Sequence, residues 1–152
     1  MKRFNFFRGV LEPGFEREGY GARRQQVGPL VGAERIGGSV YELDEGQQTF
    51  PYHFHHGVEE WLLVLDGTPT LRAVAGERAL RRGDLVCFPS GPEGAHAVRG
   101  PGRIVIFSTG RRPSVSVYPD SDKVGVRSTG DEEALNFRRG DAVDYWEGES
   151  AT

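Results

Sequence analysis

Three histidines and two glutamates lie within eight residues of the stretch Tyr52–Gly67, which reads YHFHHGVEEWLLVLDG. His53 and His55 are two residues apart, so on an extended strand both side chains leave one face while Phe54 leaves the other. A glycine turn follows, and Glu60 then opens an apolar run typical of a second strand. If these strands are antiparallel neighbours, two imidazoles and one carboxylate converge. That donor set suits zinc, iron, nickel or manganese.

A second stretch, Gly83–Gly100, reads GDLVCFPSGPEGAHAVRG and supplies a further histidine, His96, after a Gly/Pro-rich loop. Together the two stretches resemble the paired motifs of the cupin superfamily. The first motif corresponds to Gly46, His53, His55, Glu60 and Gly67, and the second to Gly83, Pro89, Gly91 and His96, with Gly100 where the family usually has Asn. The gaps from Gly46 to His53 and from Gly91 to His96 are longer than in the family pattern.

The resemblance implies an all-β fold, a single domain built as a cupin-type double-stranded β-helix, also called a jelly-roll β-barrel. It also implies that His53, His55, Glu60 and His96 bind one divalent metal ion, which could be zinc, manganese, iron or nickel. It does not name a reaction, because isomerases, dioxygenases, decarboxylases, storage proteins and sugar-binding modules share this barrel. The catalytic residues are unknown at this point, and no general acid or base is assigned.

The spacing of turns gives the organisation of the chain. Between residues 36 and 118, runs of four to eight β-forming residues recur at intervals of roughly ten, separated by Gly and Pro, as barrels and sandwiches require. One of these predicted strands, Gln47–His55, carries the first two histidines. Residues 1–35 are predicted to form an N-terminal arm that packs on the barrel or on a partner subunit. Residues 119–152 are predicted to form a C-terminal extension with a frayed end.

The composition limits the possible partners and the compartment. A net charge of −3 over 152 residues does not indicate a protein that binds nucleic acid or a membrane surface. No apolar run approaches the ~20 residues of a membrane span. The single cysteine, Cys87, excludes an intrachain disulfide and favours a reducing compartment, so we expect a cytoplasmic protein. We also expect a homodimer with the apolar N-terminal arm at or near the interface.

Several neighbouring residues are predicted to lie outside the metal site. His56 and Glu59 have the opposite strand parity to His55 and Glu60, so their side chains should point away from the metal, towards the surface. Cys87 is predicted to be a buried, inert thiol, with a thiol in the pocket as the alternative. Phe54 and Trp61 also have the off-metal parity, and we expect them to serve packing.

Three functions are compatible with these patterns. The first is a small metal-dependent enzyme, isomerase-like or dioxygenase-like, that acts on a small polar metabolite. The second is a non-catalytic barrel that binds a small ligand such as a sugar or an acid. The third is a structural protein in which the metal only stabilises the barrel. A site with coordination positions open to substrate favours the first of these.

Overall fold

The computed structural model describes residues 1–110, 113–128 and 134–151. In these parts the chain forms β-strands, one single-turn helix and three short 3₁₀ turns. The strands are β1 (Glu12–Arg17), β2 (Tyr20–Gln26), β3 (Gly37–Leu43), β4 (Phe54–His56), β5 (Glu60–Gly67), β6 (Thr70–Ala73), β7 (Gly76–Ala79), β8 (Leu85–Phe88), β9 (His96–Arg99), β10 (Gly102–Ser108), β11 (Ser114–Tyr118), β12 (Lys123–Arg127) and β13 (Leu135–Arg138). The helix α1 is Gly28–Val31, and the 3₁₀ turns are Pro92–Gly94, Pro119–Ser121 and Arg139–Asp141.

The strands form three antiparallel sheets. The largest has the order β1-β2-β3-β10-β5-β8, and the others have the orders β13-β12-β11-β4 and β7-β6-β9. An isolated antiparallel bridge between His53 and His96 joins the two smaller sheets, and side chains of β6 and β9 pack against the large sheet. The prediction of an all-β fold is therefore confirmed.

The main hydrophobic core lies between the layers. Strand alternation sends Leu62 of β5 and Ile104 of β10 inward, where they are fully buried against Leu71 of β6 and Val98 of β9. Val105 is also fully buried, but on the outer side of the large sheet. As the apolar run of β10 predicts, this strand is buried on both faces.

The N-terminal residues cover that outer side. Phe4, Phe6 and Leu11 pack against the cluster that contains Val40 and Val105. Further along, β2 pairs with β3, so β1 and β2 extend the large sheet. At the other end of the chain, β12 and β13 extend the sheet that contains β11. The division into an arm (1–35), a barrel (36–118) and an extension (119–152) stays a prediction. Thr152, at its expected frayed end, lies outside the described residues.

Two expectations about the histidine-bearing strand are wrong. The predicted strand Gln47–His55 is reduced to β4, while Gln48 and His53 form only isolated bridges. Pro51 lies between those bridges and has no amide hydrogen to donate to a ladder. In addition, β4 and β5 are not neighbours: β4 pairs with β11, and β5 lies between β10 and β8. The alternation of side chains along a strand shows which face each side chain occupies. It does not show which other strand will pair with that strand.

The prediction of a buried Cys87 is also wrong, whereas Trp61 lies away from the metal cavity as predicted. Cys87 is exposed, because β8 is the last strand of the large sheet and this residue lies on its outer face opposite Trp61. Trp61 is 44% exposed, and its indole N–H donates to Oε1 of Glu59 at 2.6 Å. Phe54, by contrast, is buried as predicted, against Val117. Among the helices in the described parts of the chain, none has the length and apolar character needed to cross a membrane.

Candidate metal centre

Four side chains from three strand starts meet at one end of the sandwich. The Nε2 atoms of His53 and His55 lie 3.1 Å apart. Oε2 of Glu60, the first residue of β5, lies 3.3 Å from Nε2 of His55 and 3.5 Å from Nε2 of His96, the first residue of β9. The ligand atoms of His53, Glu60 and His96 all fall within 4.8 Å of one another. The structure thus brings together the four residues that the sequence placed in one site.

The outward nitrogen of each imidazole is already engaged. Nδ1 of His53 donates to the carbonyl oxygen of Pro51 at 2.8 Å, and Nδ1 of His96 donates to the carbonyl oxygen of Gly94 at 2.9 Å. Nδ1 of His55 lies 3.0 Å from the hydroxyl of Ser116. A hydrogen bond at Nδ1 sets the tautomer and leaves Nε2 as the acceptor. For His53 and His96, whose Nδ1 atoms donate to carbonyl oxygens, the Nε2 lone pairs therefore face the centre of the group, whereas Nε2 of His55 lies 3.3 Å from Oε2 of Glu60.

The protonation states favour cation binding. Burial, together with the nearby His96 and His55, lowers the pKa of His53 to about 4. Burial also lowers the pKa of His96. For Glu60, burial opposes ionisation, but the hydrogen bond with His55 and the surrounding imidazoles outweigh it and lower the pKa of this carboxyl. At neutral pH, His53 and His96 are neutral and Glu60 is ionised, as metal ligands must be.

Aromatic rings support two of the imidazoles. The ring of Phe88 stacks on His96, with centroids 3.7 Å apart and planes 5° from parallel. Tyr118 stacks beside His53 at 5.8 Å, and Phe50 meets the same imidazole edge-on at 6.1 Å. These contacts restrict the orientation of the imidazoles before any ligand arrives, which reduces the entropy that binding must offset.

A cavity of about 170 Å³ opens beside the group. Its polar walls include Tyr41, Ser114, Ser116, Tyr118 and Arg127. Pockets for drug-sized ligands usually measure roughly 300–1,000 Å³. The cavity therefore suits only a small molecule with several polar groups.

The donor geometry fits a divalent metal. Imidazole nitrogens and carboxylate oxygens bind zinc at about 2.0–2.2 Å, so neighbouring ligands of one ion are separated by about 3.0 Å at right angles and about 3.4 Å in a tetrahedron. The three measured separations, 3.1, 3.3 and 3.5 Å, match this range. Three imidazole nitrogens and one carboxylate oxygen are also a donor set that suits zinc, manganese, iron and nickel.

The residues next to the site lie where parity predicts, with one exception. His56 is exposed, as expected. Glu59 points away from the site but is half-buried, because it accepts the hydrogen bond from Trp61. Sequence reasoning missed Ser116 and Arg127, which lie on β11 and β12. The alternation in the run SVSVY signals a half-buried strand, but it does not indicate that this strand pairs with β4.

The sequence comparisons agree with the fold and the site. Residues 39–109 match the family described as Cupin domain. An alignment of 93 positions, which covers 57% of this chain, is 30% identical to auxin-binding protein ABP19b of Prunus persica. The match covers 39% of that protein, so the chain spans about two fifths of the length of this curated relative.

Solved structures extend the likeness over most of the chain. A protein from Acidithiobacillus ferrooxidans, provisionally named a sugar phosphate isomerase, superposes with a TM-score of 0.80 at 25% identity, over 91% of this chain and 90% of the other. A cupin sugar phosphate isomerase from Silicibacter pomeroyi gives 0.71 at 19% identity, over 86% and 87%. The polyketide cyclase RemF from Streptomyces resistomycificus gives 0.57 at 24%, over 75% and 83%. The chain belongs to the cupin superfamily.

Proposed function

We propose that this protein is a metal-dependent enzyme of the isomerase type that acts on a small polar metabolite. The convergence of His53, His55, Glu60 and His96 beside a small polar cavity carries the proposal. According to this proposal, these four residues hold one divalent ion, with zinc, manganese, iron and nickel as the candidates.

Such an ion would act as a Lewis acid that polarises a carbonyl or hydroxyl oxygen of the substrate. The chain's own residues have two tasks. The hydrogen bonds at Nδ1 of His53 and His96 hold each imidazole in the ligating tautomer. Tyr41, Ser114 and Tyr118 line the cavity, and each carries a hydroxyl group that can hydrogen-bond a hydroxylated substrate.

Two observations favour isomerase chemistry over oxygenase chemistry. The similar protein from Acidithiobacillus ferrooxidans carries a sugar phosphate isomerase name, and the likeness covers nine tenths of both chains. The cavity is also small and lined by hydroxyl groups, which suits a polyhydroxylated molecule better than a large apolar one.

The test begins with metal analysis of protein purified without a chelator or a histidine tag. Metal-loaded protein is then incubated with a panel of aldoses, ketoses and their phosphates in heavy water, and proton NMR follows the products. Aldose–ketose isomerisation by proton transfer moves a hydrogen next to the carbonyl, so we expect product formation with deuterium at that carbon. Retention of that hydrogen together with oxygen consumption would indicate oxygenase chemistry and contradict the proposal.

A ligand-binding barrel without turnover is the second candidate, since the curated relative is named an auxin-binding protein. It predicts saturable binding of a small molecule, measured by calorimetry, with no chemical change during prolonged incubation. A structural role for the metal predicts a third outcome. In that case metal would raise the melting temperature, but neither binding nor turnover would be found for any small molecule of the panel.

We extend the proposal to a cytoplasmic homodimer. Phe4 and Phe6 pack on their own chain, but Phe7 and Val10 of the N-terminal arm are exposed and leave apolar surface for a subunit contact at or near the arm. Leu135 and Phe137 of β13 are 60% and 53% exposed and supply such surface. Light scattering at tens of micromolar is expected to give the dimer mass, and the mass of one chain would contradict it. Cell fractionation tests the location.

A further inference from the structure

The geometry points to Arg127 as the residue that binds an anionic group of the substrate, a phosphate or a carboxylate, at the mouth of the candidate metal cavity. This inference rests on the proposed function, since it names the class of substrate for the same site. Among the described residues, Arg127 is the only lysine or arginine that lines this cavity.

The sheet register places Arg127 on the cavity side. In the β11–β12 hairpin, Arg127 pairs with Ser114 and Gly125 pairs with Ser116. Residues directly opposite each other on antiparallel strands share a face. Ser114 and Ser116 line the cavity, so the side chain of Arg127 lies on the same face, as its own place in the cavity wall shows.

The β11–β12 hairpin has one polar face and one apolar face. The cavity side carries Ser114, Ser116 and Arg127, whereas the other side carries Val117 and Val124, which pack with Phe54. An inward strand face normally contributes apolar side chains to a core. A polar inward face with a guanidinium at its edge is what a binding surface requires.

Among the described residues, the carboxylates near the hairpin already have arginine or histidine partners. Asp120 accepts two hydrogen bonds from Arg72, at 2.5 and 2.8 Å, and Asp122 lies 3.8 Å from Arg139. Glu60, the one carboxylate that the described residues contribute to the cavity wall, contacts His55 and His96. In the part of the chain that the structure describes, Arg127 has no ion pair, and this residue is exposed while it lines the cavity.

The guanidinium also acts on the interior of the cavity. Burial raises the pKa of Tyr41, and the positive charge of Arg127 is among the smaller influences that oppose this rise. A planar guanidinium presents paired N–H donors that match two oxygens of a phosphate or a carboxylate. A substrate held in this way would present its oxygens to His53, His55, Glu60 and His96 at one end and its anionic group to Arg127 at the other.

Calorimetric titration with inorganic phosphate and with acetate tests the inference. The protein is treated with a chelator, so that a metal ion does not bind the anion instead, and ionic strength is kept low. The variants are R127Q, R127K and the control R78Q, whose arginine is exposed on β7 away from the cavity. Because Arg127 is exposed, R127Q should fold, and its circular dichroism and melting temperature check this.

We expect wild-type protein and R78Q to bind at least one of the two anions equally well. R127Q should bind that anion about 10- to 100-fold more weakly, as expected for losing hydrogen bonds to a charged group, and R127K should be intermediate. Stronger binding of phosphate indicates a phosphorylated substrate, and stronger binding of acetate indicates an organic acid.

Two results would overturn the inference: binding of neither anion by the wild type, or binding that R127Q retains. Metal content and turnover are measured separately on the same variants. If R127Q binds anions like the wild type while metal binding and isomerisation persist, only the assignment of Arg127 fails. If anion binding depends on Arg127 but no isomerisation occurs, only the proposed function fails.

Discussion

His53 and His96 exchange both of their backbone hydrogen bonds. The amide of His53 donates to the carbonyl of His96 at 3.1 Å, and the amide of His96 donates to the carbonyl of His53 at 2.9 Å. This bridge joins the two smaller sheets and puts the two imidazoles on one face, with ring centroids 4.9 Å apart. The separation of two candidate ligands is therefore set by the backbone rather than by side-chain rotamers alone.

Removal of any one of the four candidate ligands should release the metal. We expect His53→Ala, His55→Ala, Glu60→Gln and His96→Ala to weaken metal affinity by more than the about 10- to 100-fold typical of an outer-shell partner. Each should also reduce the rise in melting temperature that metal produces, since an ion bound only to the folded state stabilises it. His56→Ala is the control, because its side chain is exposed, and it should behave like wild type. Elemental analysis and thermal melts with and without metal provide the measurements.

Loss of the Ser116 hydroxyl should weaken metal binding without removing a ligand. Its Oγ lies 3.0 Å from Nδ1 of His55 and orients that imidazole. We expect Ser116→Ala to reduce metal affinity by about 10- to 100-fold. Ser114→Ala is the matched control, since Ser114 lies on the same face of β11 but makes no described hydrogen bond to a candidate ligand. Equal affinities for the two variants in a competition titration with a chelating dye would contradict this role.

The chelator-treated protein should lose stability as the pH falls from 6.5 towards about 4. Burial, together with the nearby His96 and His55, holds the pKa of His53 at about 4 in the folded protein, below its ordinary value of 6.5, so in this range the unfolded chain binds more protons. The contribution is absent above pH 6.5 and reaches at most about 3 kcal/mol of lost stability. Glu60 acts in the same direction at lower pH, since its folded pKa is lowered from 4.5.

Urea denaturation across this pH range measures the effect. His53→Asn should show a shallower loss of unfolding free energy with falling pH, because the group that protonates in the unfolded state is gone. His56→Asn, which changes an exposed side chain, should keep the wild-type slope. A wild-type stability that does not change between pH 6.5 and about 4 would argue against a buried neutral His53.

Cys87 should react with a thiol reagent in the folded protein. Its side chain is exposed on the outer face of β8, away from the metal cavity. We expect one thiol per chain to be modified by Ellman's reagent without denaturant, with no release of metal. Cys87→Ser should abolish the reaction and leave metal content unchanged. Reaction only after denaturation would instead support the buried thiol that the sequence predicted.

The sequence by itself determined the local properties of this site. The two-residue spacing of His53 and His55 specifies a shared strand face, because side chains alternate along any extended strand. The spacing of Gly and Pro turns between residues 36 and 118 predicts short strands, and Leu85–Phe88 and His96–Arg99 are two of the strands that the structure forms there. The cupin-like motifs also singled out Glu60 and His96, which the structure places beside the two histidines.

Only the tertiary structure decided which strands meet. It pairs β4 with β11 rather than β5, and this pairing brings Ser116 to His55 and Arg127 to the mouth of the cavity. It also leaves β8 at the edge of its sheet, which exposes Cys87. The physical reason is that alternation gives the direction of each side chain relative to its own strand. The neighbour of a strand depends instead on how distant segments close around a common core, which a local pattern does not encode.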